Sequence, residues 1–133
     1  MRILVFGGSG KMGRAVAFDV AHEPAVTAVG LVGRRKEALE SARTWLASPK
    51  VAVHVLDVER IDDVKALMKQ YDVSVNTLPD RHTSYLVVQA AVECGCHVVD
   101  MLEEYHRRPD AYEIEDLVLP AGMTLNAYGD YLH

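Results

Sequence analysis

Cysteine is nearly absent: Cys94 and Cys96 are the only two, which excludes the disulfide framework of a small secreted domain. In a strand-like segment their side chains point to opposite faces, so no bond between them is expected, and they read as ordinary buried thiols of a reducing compartment. Basic residues are also in deficit. Fourteen Lys and Arg against 19 Asp and Glu leave a formal net charge of −5, and with no basic run the field that holds a polyanion is missing, so nucleic acid is not an expected partner. No apolar run approaches the roughly 20 residues that cross a bilayer. Met1-Arg2 leads straight into a strand-like segment without the layout of a signal peptide, and a soluble, cytoplasmic protein with no membrane contact is expected. The six histidines include no His-x-x-x-His pair and do not join the cysteines at zinc spacing, so no metal site is predicted.

The chain does hold a repeated alternation. Half of its 133 residues are apolar, enough for one domain with a sizeable core, and no linker, repeat or low-complexity tract divides it. Short Val-, Ile- and Leu-rich runs predict strands at 2–6, 25–32, 51–56, 73–77, 96–100 and 123–127. Helical patterns lie between them at 11–22, 36–47, 61–70 and 83–93. A fifth, at 110–119, follows Pro109 and is closed by Pro120 and Gly122. In the fourth, Leu86, Val87, Ala90, Ala91 and Cys94 share one face; Asp80 or Thr83 suits its start and Gly95 its end. Trp45 is expected to pack from its helix against the sheet, and His97 to be a core histidine. Nearly continuous apolar strands separated by helices predict an α/β, three-layer, doubly wound Rossmann fold with a parallel sheet of about six strands.

Val5-Phe6-Gly7-Gly8-Ser9-Gly10-Lys11-Met12-Gly13-Arg14 joins the first strand to the first helix. A triphosphate-binding loop requires G-x-x-x-x-G-K-[ST], but Met12 follows Lys11 and Val5 stands five before Gly10, so that reading fails twice. Gly8-Ser9-Gly10-Lys11-Met12-Gly13 does satisfy the dinucleotide pattern G-x-G-x-x-G. In it Gly8 is expected to make the tight turn, Gly10 to admit the pyrophosphate and Gly13 to let helix and sheet approach, with the pyrophosphate on the helix N-terminus.

NAD-specific domains place an acidic residue at the end of the second strand. Here the sequence is Leu31-Val32-Gly33-Arg34-Arg35-Lys36. An acid would repel a 2′-phosphate, whereas Arg34 can pair with it and Arg35 can stack or add charge, so NADP(H) is the preferred cofactor and NAD(H) stays open. Ligands of doubly wound sheets lie beyond the carboxyl ends of the strands. That places Asp57 near the adenine, or at the start of the loop before the next helix. It also places Asn76 and backbone groups beside the nicotinamide ribose at the switch point, where Pro79 fixes the turn, and Asp100 on the same rim.

In their order, GGSGKMG, LVGRR, LDVER, DVSVNTLP, AAVECGCHVVD and AGMTLNAYG resemble the N-terminal NAD(P)-binding domain of saccharopine dehydrogenase-like reductases across nearly the whole chain. Most specific are Asn76-Thr77-Leu78-Pro79 and the A-x-x-x-G-x-x-x-V-D passage from Ala90 to Asp100 (as AAVECGCHVVD). The resemblance implies hydride transfer between a nicotinamide cofactor and a C–N bond of an amino-acid-type substrate. It places Gly8, Gly10, Lys11, Met12 and Gly13 in the pyrophosphate loop, Asn76 and Pro79 at the nicotinamide-side turn, and Asp100 at the end of the fifth strand. Residues 1–133 are then expected to be the cofactor domain of a longer enzyme whose substrate domain lies elsewhere; a homodimer stays open. Two alternatives remain: a free-standing, non-catalytic dinucleotide sensor, and a cofactor domain like that of dihydrodipicolinate reductases, whose loop GSGKMG also resembles. His82, Tyr85, Asp100, Tyr105 and His106 follow strand ends and are candidates for the proton donor of imine chemistry, but no catalytic residue is assigned.

Overall fold

The computed structural model describes residues 1–101. The strands are β1 (Arg2–Phe6), β2 (Ala28–Gly33), β3 (Val51–Val55), β4 (Val73–Asn76) and β5 (His97–Asp100), and between them lie α1 (Lys11–Ala21), α2 (Lys36–Leu46), α3 (Ile61–Met68) and α4 (Arg81–Cys94). All pairings are parallel and the sheet order is β3-β2-β1-β4-β5. The chain starts at the centre of the sheet, winds outward through β2 and β3, then returns to β4 on the other side of β1. The direction of winding reverses between β1 and β4, and there the chains leaving the two strands part to open a crevice.

Alternation along β1 separates two cores. Ile3 and Val5 join Val29, Leu31 and the α1 and α2 residues Ala17, Ala21, Leu39, Ala42 and Leu46 on one face. Leu4 and Phe6 meet Val32, Val64 and Met68 of α3, and Val87, Ala90 and Ala91 of α4 on the other. Burying a side chain of the size of Leu4 or Phe6 contributes about 1.5–3 kcal/mol, which is why the central strands are apolar in both directions. The outer strands are not: Val55 of β3 and Val99 of β5 are exposed, because among the described residues each has a strand on one side only.

The three-layer, doubly wound architecture is as expected, with five strands among the described residues; the predicted strand at 123–127 and helix at 110–119 lie outside them. Several boundaries move by one to three residues. β2 begins at Ala28 rather than Ala25, since Val26 N donates to Glu23 O to close a turn over residues 23–26, after which Thr27 N donates to Met1 O. The fourth helix begins two residues early, at Arg81, and Asp80 is its cap: the Asp80 carboxylate accepts from Thr83 N at 2.9 Å. That amide holds the carboxyl below the usual range. Gly95 closes the helix in the left-handed region at φ 75°.

Two expectations fail. Trp45 does not pack on the sheet; it is 56% exposed, because α2 turns Leu39, Ala42 and Leu46 inward and leaves Trp45 on the flank. There it meets Phe18 of α1 at 5.8 Å and lies under the Arg14 guanidinium at 5.5 Å. His97 is exposed rather than a core residue, because it opens β5, a strand buried fully only at Asp100. His54, half-buried on β3, has its Nε2 2.8 Å from the Tyr71 hydroxyl; desolvation lowers its pKa.

Candidate dinucleotide-binding site

The loop after β1 turns at Gly7, not Gly8. Gly7 has φ +82°, a conformation that side chains disfavour, and a Cβ there would lie 2.6 Å from Thr77 Oγ1. Gly8 is constrained by proximity to Leu31, whose Cβ would be 2.8 Å from an added methyl. The correction follows from how the strand ends: the chain must turn directly after Phe6, so the first glycine of the pair takes the positive φ. The amides of Gly7 and Gly8 both donate to Val32 O, at 3.0 and 3.2 Å. On the opposite side Thr77 donates to Phe6 O through its amide at 3.0 Å and its hydroxyl at 2.7 Å. β2 and the end of β4 therefore hold the loop from both sides.

The other two glycines differ in the space around them. A Cβ on Gly13 would fall 2.0 Å from Gly7 O, so only a glycine lets α1 start this close to the loop. A Cβ on Gly10 would meet only Gly7 O, at 3.4 Å, which leaves open space beside the backbone. Gly10 is also the N-cap of α1, and no side chain caps the helix. The first-turn amides and the positive end of the helix dipole therefore suit a pyrophosphate. Ser9 is half-buried, while Lys11 and Met12 are exposed at the same mouth.

Arg34, Arg35 and Lys36 follow β2 and are all exposed at the start of α2. Arg35 occupies the N-cap position without a side-chain hydrogen bond. Cations at the positive end of a helix are unfavourable by about 0.3–1 kcal/mol each, and within the first turn only Glu37 opposes them. A bound anion would neutralise this cluster. Arg34 also borders a cavity of about 550 Å³ with Val55, Leu56, Asp57, Arg60 and Asp63. Leu56 N closes one side of the rim by donating to Gly33 O at 2.8 Å. Asp57 is exposed and organises its own loop: its Oδ1 accepts from Glu59 N at 3.0 Å, and its carbonyl accepts from Arg60 N at 3.0 Å.

At the switch point the Asn76 side chain is buried. It donates to Asp100 Oδ1 at 3.4 Å and accepts from Leu78 N at 3.3 Å, and its carbonyl accepts from Met101 N at 3.2 Å. Asn76 and Asp100 thus tie the ends of β4 and β5 together under the exposed turn at Pro79. Of the proton-donor candidates, His82 lies 3.1 Å from the Glu59 carboxylate on the surface and Tyr85 is half-buried in α4. Tyr105 and His106 fall outside the described residues.

A larger cavity, about 690 Å³, sits at the opposite edge, among Tyr71, Asp72, Cys96 and His97. It lies at the amino ends of β4 and β5, where a doubly wound sheet does not present helix N-termini, so the smaller rim cavity is the better ligand site. Burial pushes the Cys96 thiol up, which favours the thiol over the nucleophilic thiolate. Among the described residues no three His, Cys, Asp or Glu side chains are grouped to hold a metal ion, and no helix is long and apolar enough to cross a membrane. Gly7 and Thr77 shape this loop and Arg60 lines the rim cavity, though the sequence had assigned none of them a role; the doubled glycine was the available signal for the first.

The fold and this rim define a dinucleotide-binding domain of the doubly wound type. The family model described as the saccharopine dehydrogenase NADP binding domain matches residues 3–125, and the chain belongs to that family. No curated protein sequence matches it. Among solved structures it is similar to apo histidine-tagged saccharopine dehydrogenase (L-Glu forming) from Saccharomyces cerevisiae, with TM-score 0.76 and 22% identity over 93% of this chain and 26% of that one. It is also similar to Pen from Bacillus thuringiensis, with TM-score 0.71 and 17% identity over 90% of this chain and 44% of that one. AtPrR2, solved with NADP+ and (+)pinoresinol, gives TM-score 0.62 and 19% identity over 92% of this chain and 47% of that one. The chain therefore spans less than half the length of each of these proteins.

Proposed function

We propose that this chain holds NADP(H) across the carboxyl edge of its sheet, as the cofactor domain of a reductase that moves hydride between NADP(H) and a C–N bond of an amino-acid-type substrate. The observation that carries the cofactor choice is the cationic start of α2, where Arg34 and Arg35 stand in place of an acid at the end of β2. In this reading the pyrophosphate lies on the Gly8 to Gly13 turn, with Ser9, Lys11 and Met12 at its mouth. The 2′-phosphate lies on Arg34 and Arg35, and the adenine beside Asp57. Asn76, Pro79 and Asp100 shape the nicotinamide end, Asn76 and Asp100 by fixing the rim rather than by exposed contact.

Bound NADP(H) would supply the hydride. The residues of this chain bind and orient it, and the groups that hold the substrate and move its proton belong to the rest of the enzyme. Calorimetric titration of the chain with NADPH and NADH tests the reading. A preference for NADPH that Arg34→Ala reduces by roughly tenfold or more, the value of a charge-assisted contact, supports it. Equal affinities, or binding of neither, would sink it.

A further inference from the structure

The rim cavity contains a second arginine that no motif placed there. Arg60 comes from the loop after β3, at the N-cap of α3, whereas Arg34 comes from the loop after β2. Parallel pairing brings the two loops together: Gly33 is in register with Val55, and Leu56 N donates to Gly33 O at 2.8 Å. Both guanidinium-bearing residues line the same cavity, with Asp57 and Asp63. In the free protein Arg60 Nε is held by Asp63 Oδ2 at 2.9 Å, in a pair whose side chains are 73% and 54% exposed. Ion pairs this exposed contribute little and exchange partners readily.

A phosphate monoester carries a charge of about −1.5 to −2 on three acceptor oxygens and outcompetes a single carboxylate for an arginine fork. Asp63 does not need Arg60 to stay in place. It lies with Asp62 in the first turn of α3, where the helix dipole favours a carboxylate. We infer that Arg60 is a specificity-determining residue, a further cation of the 2′-phosphate site beside Arg34 and Arg35, and that it leaves Asp63 for the phosphate when NADP(H) binds. This rests on the NADP(H) reading above and adds to it a residue from a different loop and a defined exchange of partners.

The test is titration of the chain and of Arg60→Ala, Arg60→Lys, Asp63→Asn and the Arg60→Ala/Asp63→Asn double variant with NADPH, NADH and 2′,5′-ADP. Arg60→Ala is expected to weaken NADPH and 2′,5′-ADP by roughly tenfold to a hundredfold and to leave NADH unchanged. Arg60→Lys should keep part of the loss from appearing, since it retains the charge without the fork. Asp63→Asn should tighten NADPH, because it releases Arg60 and removes a like charge, and most of that gain should vanish in the double variant. Thermal melts of each variant establish that it is folded, which the exposure of both side chains favours. Unchanged NADPH binding in Arg60→Ala, or the same gain from Asp63→Asn with and without Arg60, overturns the inference. If Arg34→Ala abolishes the preference while Arg60→Ala does not, this inference falls and the NADP(H) reading stands. If the unaltered chain prefers neither cofactor, that reading falls and takes this inference with it.

Discussion

Gly13→Ala sets two physical effects against each other, and the structure decides the sign. Gly13 is the third residue of α1, and in a helix alanine is favoured over glycine by about 1 kcal/mol; propensity alone predicts a more stable protein. The added Cβ, however, would stand 2.0 Å from Gly7 O, 2.7 Å from Gly7 C and 2.9 Å from Gly8 Cα, and real Cβ contacts essentially never fall under 3.0 Å. The contact must open by about 1 Å, and every atom in the way is backbone. That backbone is held by Gly10 N to Gly7 O at 3.0 Å and by the Gly7 and Gly8 amides on Val32 O. Overpacking costs about 1–3 kcal/mol, and losing one of these hydrogen bonds adds about 1 kcal/mol. After the helix gain is subtracted, the net loss is about 2 kcal/mol, which lowers Tm by roughly 6–10 °C in a chain of this length.

Gly10→Ala is the matched control. Its nearest neighbour would be at an ordinary 3.4 Å, and Gly10 has φ −77° and ψ 172°, which alanine adopts freely. Its stability should change by less than about 1 kcal/mol, but its methyl group would occupy the space beside the pyrophosphate, and NADPH binding should be lost. Far-UV circular dichroism gives the melts. Trp45, the one tryptophan in the chain, lies under Arg14 of α1 and reports any displacement of that helix by fluorescence. A Gly13→Ala protein that melts at or above the parent temperature would refute the packing argument. A Gly10→Ala protein that binds NADPH normally would refute the assignment of the loop.

Asn76→Ala should destabilise the chain by about 1–3 kcal/mol in urea titration, because it leaves the buried Asp100 carboxylate and the Leu78 amide without the partner they have in Asn76; a change under 0.5 kcal/mol, by the same yardstick, would mean that the clamp is dispensable. His54 gives a pH dependence of defined sign. Burial lowers its folded pKa from the ordinary 6.5, so the unfolded chain binds the extra proton first, and stability falls as pH drops from about 6.5 toward the lower folded value. Urea midpoints between pH 8 and pH 5 should show this loss, and His54→Phe should flatten it; an unchanged slope in the variant would remove His54 as the cause.

Much of the site was legible because its chemistry is local. Turn, glycine-rich loop and helix start occupy adjacent residues, and the spacing from Gly8 to Gly13 encodes a backbone geometry directly. The basic run after β2 was legible for the same reason. Where the reading went wrong, the deciding neighbour was distant in sequence. Gly7 rather than Gly8 takes the positive φ because the chain turns directly after Phe6, where Thr77 and Val32, distant in sequence, hydrogen-bond it on either side. Trp45 faces outward because three smaller residues of α2 already fill the sheet-facing side.

By itself the sequence determined the alternation of strands and helices, the parallel sheet, the glycine-rich turn and the cationic end of the second strand. Each of these follows from periodicity, glycine spacing or charge over a few residues. Only the tertiary structure decided the order in which strands lie side by side, and with it the crevice between β1 and β4. That order puts Arg60 beside Arg34 and buries Asn76 against Asp100, since such contacts depend on which strand ends become neighbours and no local pattern records that.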